Sequence, residues 1–167
     1  MDWTRLTADA ALLAFLIAWL LRAYKGCFPA NRWVRCERGT YAAGGVLMVV
    51  HVLVAYGFFH GWSHAAALAH TAEQTRQTVG WAFAGGLYFN FLFVGVYLTD
   101  IGWRARVGGW EQRTPRVMAY TMDSFLWFIV VMSTVVFESG AVRWFAVMGV
   151  AAVWFGIWQG IHAQSKT

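Results

Sequence analysis

Five apolar stretches, residues 7–24, 41–59, 80–99, 117–137 and 141–160, are each close to the ~20 residues that carry a helix across a hydrocarbon core of ~30 Å. A chain passing through lipid must satisfy its backbone polar groups internally, and continuous apolar runs of this length do so as helices. The expected fold is therefore all-α: a polytopic membrane bundle of five transmembrane helices forming one domain over residues 1–167. Charged residues make up only 13% of the chain, against ~25% in soluble domains, so little remains for a second, water-soluble unit.

The loops set an expected orientation. Arg22 at the end of the first stretch and Lys25, Arg32, Arg35 and Arg38 after it flank the first loop, and Arg104, Arg106, Arg113 and Arg116 lie between the third and fourth stretches. Lys166 ends the tail, and of the 13 basic residues only Arg5, Arg76 and Arg143 fall on the opposite side. Short basic loops stay cytoplasmic, which puts the N-terminus outside and the C-terminus inside. Asp2 and Asp9 lie before and at the start of the first stretch, and Arg22 and Lys25 at its end and just after it, the reverse of a cleaved signal peptide. The pI near 9.6 then follows from topology and implies no nucleic-acid partner. Cys27 and Cys36, nine apart with no neighbouring histidine, do not make a four-ligand zinc site. Trp33 and Trp110, beside arginines, read as interfacial anchors.

Small residues recur at helical spacing in two stretches, Ala10/Ala14/Ala18 and Ala152/Gly156/Gly160, with Gly149 extending the second row. Helices in lipid gain little from hydrophobicity on associating, so close backbone approach along such rows drives packing, within one chain or in a homo-oligomer or larger membrane complex.

Four of the five histidines, His51, His60, His64 and His70, fall within twenty residues. His51 lies near the midplane of the second stretch, where an ionisable group is costly and faces the bundle interior or a polar cavity. It is the candidate ligand for a haem b, with Asn90 at similar depth in the third stretch fixing its tautomer. No proline interrupts residues 51–80, so the second helix is expected to continue beyond the membrane and present His60 and His64, four apart, on one face. His70 and Glu73, three apart, form a second local pair. On a straight helix the two pairs point in different directions, and a shared metal requires a break near Gly61 or after Leu68. Neutral imidazole suits copper, zinc or iron. The bland alternative is an interfacial segment whose histidines and Trp62 occupy the headgroup zone.

Asp123, seven residues into the fourth stretch, has no lysine or arginine at matching depth by sequence. It is expected to be a proton carrier, or a structural hydrogen-bond acceptor with a partner such as Gln159. Asp100 with Trp103 and Arg104 reads as a helix-end anchor. Met118, Met122, Met132 and Met148 read as core filler.

No HExxH sequence, no repeated ExxH, no Asn-X-Ser/Thr acceptor and no phosphate-binding glycine loop is present. No nucleophile or acid/base pair names a reaction. The leading expectation is a metal- or haem-binding redox-type membrane protein with its histidines toward the extracytoplasmic half. A non-catalytic, self-assembling membrane subunit is the alternative, and a small proton or ion channel using His51, Asn90 and Asp123 is the third.

Overall fold

The computed structural model describes residues 3–24, 30–106, 116–138 and 140–164, with side chains left out of the description at 30, 31, 116 and 160–164. Cys27, Trp110, Lys25, Arg113 and Lys166 therefore lie outside the described residues, as do the surroundings of Gly160 and His162. All described elements are helical: α1 (Trp3–Ala23), α2 (Ala30–Val54) with a π-helical extension (Ala55–Phe59), α3 (His64–Val79), α4 (Gly86–Arg106), α5 (Arg116–Val131) with a second π-helical extension (Met132–Val136), and α6 (Gly140–Gln164).

Among the described residues, four segments are long and apolar enough to cross a membrane: Trp3–Ala23, Arg32–Phe59, Val117–Val136 and Gly140–Gln159. The third expected stretch is a 21-residue helix too, but it starts at Gly86 rather than near residue 80 and ends at Arg106 rather than 99. That shift of about six residues brings Asp100 and Arg104 into the helix, and with Asn90 they lower its hydropathy below that of its neighbours.

The core forms around Phe15 of α1. Its ring meets Tyr97 of α4 edge-on at 5.6 Å and Trp127 of α5 at 5.6 Å, and packs 6.0 Å from Tyr41 of α2. Trp19 adds a further edge contact with Trp127 at 5.3 Å. Such pairs contribute ~0.5–1.5 kcal/mol each beyond their area, which matters where solvent exclusion supplies little.

Small residues make the close approaches, as the rows of alanine and glycine predict. A β-carbon on Gly44 would lie 3.4 Å from the Ala14 Cβ and 2.6 Å from the Tyr97 hydroxyl. One on Gly156 would lie 2.9 Å from the Ala23 Cβ and 2.8 Å from the Tyr24 ring. The Tyr24 hydroxyl donates to the Ala152 carbonyl at 3.1 Å, tying the foot of α1 to α6.

The expected continuation of the second helix beyond Phe59 is not what forms. Its last turn widens to π-helix, the chain bends through Gly61 (φ 54°) and Trp62 (φ 60°), and α3 starts afresh at His64. Ser63 caps the new helix, its hydroxyl accepting from the Ala66 N–H, and Gly80 (φ 88°) closes it in the left-handed conformation. High helix propensity in 63–69 is thus realised as a new helix, not an extension. Trp62 in the left-handed region costs ~1–2 kcal/mol, held by its N–H bond to the Tyr56 carbonyl at 2.7 Å and by its ring lying over Gly57.

The tightness of these contacts is open to test by thermal unfolding in detergent. Gly156→Ile should destabilise by ~1–3 kcal/mol through overpacking. Gly149→Ala, whose methyl would sit 3.5 Å from Leu16, should change little. An unaltered melting temperature for the isoleucine variant would rule out the α1–α6 contact.

Candidate functional site

Two polar clusters stand at opposite ends of the bundle. At one end, the foot of α1, the start of α2, the foot of α4 and the start of α5 converge. Arg104 Nε pairs with Asp100 Oδ2 at 2.6 Å, one turn earlier on α4, and Arg104 Nη2 donates to Asp123 Oδ1 at 3.1 Å. Arg22 Nε donates to Glu37 Oε1 at 2.9 Å, and its Nη1 lies 3.9 Å from Asp123. The Tyr41 hydroxyl donates to Asp100 Oδ2 at 2.9 Å, and the Tyr97 hydroxyl to the Tyr41 carbonyl at 2.9 Å. The Arg22 guanidinium lies 4.2 Å from the Trp19 ring centre.

This corrects the expectation that Asp123 has no cation at its depth and needs a proton or Gln159 for a partner. Two arginines reach it. The six-residue shift of α4 explains the difference: Arg104 belongs to the helix and lies level with the second turn of α5. Asp100 is likewise no peripheral anchor; it is 4% exposed and shared by Arg104 and Tyr41. Its i,i+4 spacing to Arg104 was the available signal. Glu37 and Tyr41 were missed because α2 begins at Ala30, eleven residues before hydropathy rises.

At the other end the elbow at Gly61–Trp62 folds α3 back on the top of α2. His60 and His70 come together with ring centres 5.4 Å apart, and Phe59 stands edge-on to both at 5.0 and 4.9 Å. The expected His60/His64 pair does not form. His64 turns to a different neighbourhood, its Nδ1 2.9 Å from the Tyr56 hydroxyl and its Nε2 3.2 Å from that of Tyr88 on α4. The expected His70/Glu73 pair does not form either. Glu73 takes Arg76 through both oxygens, at 2.8 and 2.6 Å, and Gln77 at 2.7 Å. Those hydrogen bonds push its carboxyl down to about 2, so it stays ionised and committed to Arg76. Partial burial, then the neighbouring His70, hold His60 below the ordinary imidazole value. Among the described residues no three His, Cys, Asp or Glu side chains converge as a metal site would require.

His51 is half-buried against α1, not against α4. Its Nδ1 lies 3.0 Å from the Thr4 carbonyl and 3.4 Å from the Thr7 hydroxyl. A bond to a carbonyl oxygen requires the proton on Nδ1, which leaves the Nε2 lone pair free. Asn90 is exposed on α4 and does not set this tautomer. Nearby, Asp9, Leu12, Leu16, Thr134, Glu138 and Phe145 line a cleft of about 110 Å³, with Arg5 pairing Glu138 at 2.8 Å.

The ionic cluster makes a sharp stability prediction. Arg104→Met leaves Asp100 with the Tyr41 hydroxyl and Asp123 with the more distant Arg22, and breaking this partly buried pair should cost about 3 kcal/mol. Asp123→Asn keeps an acceptor for Arg104 and should be milder than Asp123→Leu. Equal melting temperatures for wild type, Asn and Leu in detergent would show the cluster to be energetically idle.

No protein-family model, curated protein or solved structure matches this chain.

Proposed function

We propose that this is a five-span membrane protein, N-terminus outside and C-terminus inside, that binds a transition-metal ion between His60 and His70 at its extracytoplasmic end. The distribution of arginine supports the orientation. The length of α4, 21 residues or ~32 Å, supports a fifth span, with the charge of Asp100 offset by Arg104.

The observation that carries the metal reading is the spacing of the two imidazoles. Metal–nitrogen bonds of ~2.0–2.1 Å in tetrahedral geometry put two ligand ring centres about 5 Å apart. His60 and His70 stand at 5.4 Å, tilted by 58°. Two imidazoles leave the remaining positions of copper or zinc to water or an incoming ligand, so the ion is exchangeable and the site open. A copper ion there would give the protein its redox chemistry. The low proton affinity of His60 keeps its lone pair available at neutral pH.

The second reading, a non-catalytic subunit, draws on the ionic cluster that ties four helices together at the other end. It predicts the same fold with no metal.

Titration of tag-free protein with zinc or copper separates them. The proposal expects His60→Ala and His70→Ala each to weaken binding by at least roughly tenfold, and His64→Ala to leave it unchanged. The folded His60 value lies below the unfolded ~6.5. Its neutral form therefore contributes stability and metal affinity above that value, and both are lost as pH falls through the lower folded value. Wild-type affinity in both alanine variants, or affinity that rises on acidification, would leave the subunit reading in place.

A further inference from the structure

The elbow between α2 and α3 presents a strained residue to the surroundings. Trp62 has a φ of 60° and is 67% exposed. Backbone strain of that kind persists where contacts fix it; the Tyr56 carbonyl and Gly57 supply some of them, yet most of the indole remains exposed. Phe58 beside it is 89% exposed, and Trp81, in the joint between α3 and α4, is 60% exposed. Both joints that tether α3 thus end in large outward-facing aromatic rings, while α3 itself shows Glu73, Arg76 and Gln77 to its surroundings.

The depth of the elbow follows from the chain. From Gly39 to Phe59 no Asp, Glu, Lys or Arg interrupts the helix. At 1.5 Å per residue that run spans ~32 Å, the thickness of the hydrocarbon core. Phe58 and Phe59 then lie at the edge of the apolar layer, and His60, Gly61 and Trp62 lie just beyond it. Indole and phenyl rings concentrate at that level, where a flat apolar body meets the headgroups and the ring N–H stays solvated.

The geometry points to an interfacial lipid anchor: Phe58, Trp62 and Trp81 insert into the outer headgroup layer and hold α3 at the membrane surface. The inserted ring of Trp62 adds to the Tyr56 and Gly57 contacts that hold the left-handed elbow, and so supports the fold-back that sets His70 against His60. This inference rests on the membrane orientation proposed above but not on the presence of a metal.

Nitroxide labels at positions 58, 62, 77 and 81, one at a time in a background with Cys27 and Cys36 replaced by Ser, test it in phosphatidylcholine vesicles. The anchor predicts that Phe58→Cys, Trp62→Cys and Trp81→Cys are reached by oxygen and shielded from a water-soluble nickel chelate, with a ratio several-fold above that of Gln77→Cys. Labels at 62 and 81 as open to nickel as that at 77 would overturn it. Dipolar broadening at 62 that vanishes on dilution with unlabelled protein would also overturn it, by showing a second copy on this surface. Because a label can unfold the elbow, the unlabelled chain supplies an independent measurement. Trp62→Phe and Trp81→Phe should each reduce the share of tryptophan emission quenched by lipids brominated near the headgroup. An unchanged share in both variants would refute the anchor. Metal titration of the same samples reports on the histidine site separately, so either idea can fail alone.

Discussion

Burying the Arg104 guanidinium between Asp100 and Asp123 is the interaction on which the arrangement of the bundle most depends. A charge in an apolar setting is tolerable only when opposite charge and hydrogen bonds surround it. That requirement leaves α4 and α5 little freedom to slide. Moving α4 by one turn would separate Arg104 from Asp123 at 3.1 Å and pull the Tyr41 hydroxyl from Asp100 at 2.9 Å. Arg22 and Glu37 impose a similar register on α1 and α2. Apolar surface cannot do this in lipid, because a leucine gains almost as much from a lipid tail as from another helix. The aromatic packing around Phe15 and the glycine contacts add tightness, but the charges set which turns face each other.

The two ends contrast in a way that bears on function. At the arginine end the described carboxylates meet cations or hydroxyls, and the helices are drawn together. At the histidine end α2 and α5 both loosen into π-helix, at Ala55–Phe59 and Met132–Val136. π-helical turns cost hydrogen-bond geometry and recur where a helix has been adjusted around a site. Here the first leads directly into His60 and the elbow, and the second delivers Thr134 and Glu138 to the cleft beside Asp9. The ion pairs and the π-helical turns thus fall at opposite ends of the bundle.

How far this was legible in the sequence depends on the range of the signal. Helical character and membrane-crossing length are local properties, and hydropathy reads them directly. The small-residue rows also read correctly, since Ala14 and Gly156 reach the contacts their spacing implies. The helix ends were less legible. Hydropathy marks where apolar residues stop, whereas a helix continues for as long as its backbone bonds and caps allow. Hydropathy therefore places Asp100 and Arg104 at an edge, and passes over Glu37, although all three belong to helices that run past the apolar stretch. The same error made Asp123 look isolated.

The histidine pairing that spacing suggests fails for a related reason. Spacing of four along a continuous helix brings side chains to one face, so His60 and His64 were the natural pair. That rule holds only if the helix is continuous, and Gly61 followed by an indole in the left-handed region ends it. Once the chain reverses, neighbours are set by the fold-back: His70 meets His60, while His64 is carried toward Tyr88. A break at Gly61 was the condition under which distant histidines could meet. What the sequence alone did not carry was the force that fixes such a break. Glycine permits the turn, but Trp62 has a β-carbon that resists it, so the turn depends on the contacts Trp62 makes: its N–H on the Tyr56 carbonyl and its ring over Gly57. The arrangement of the histidines is therefore tied to the environment of a residue that belongs to no ligand set.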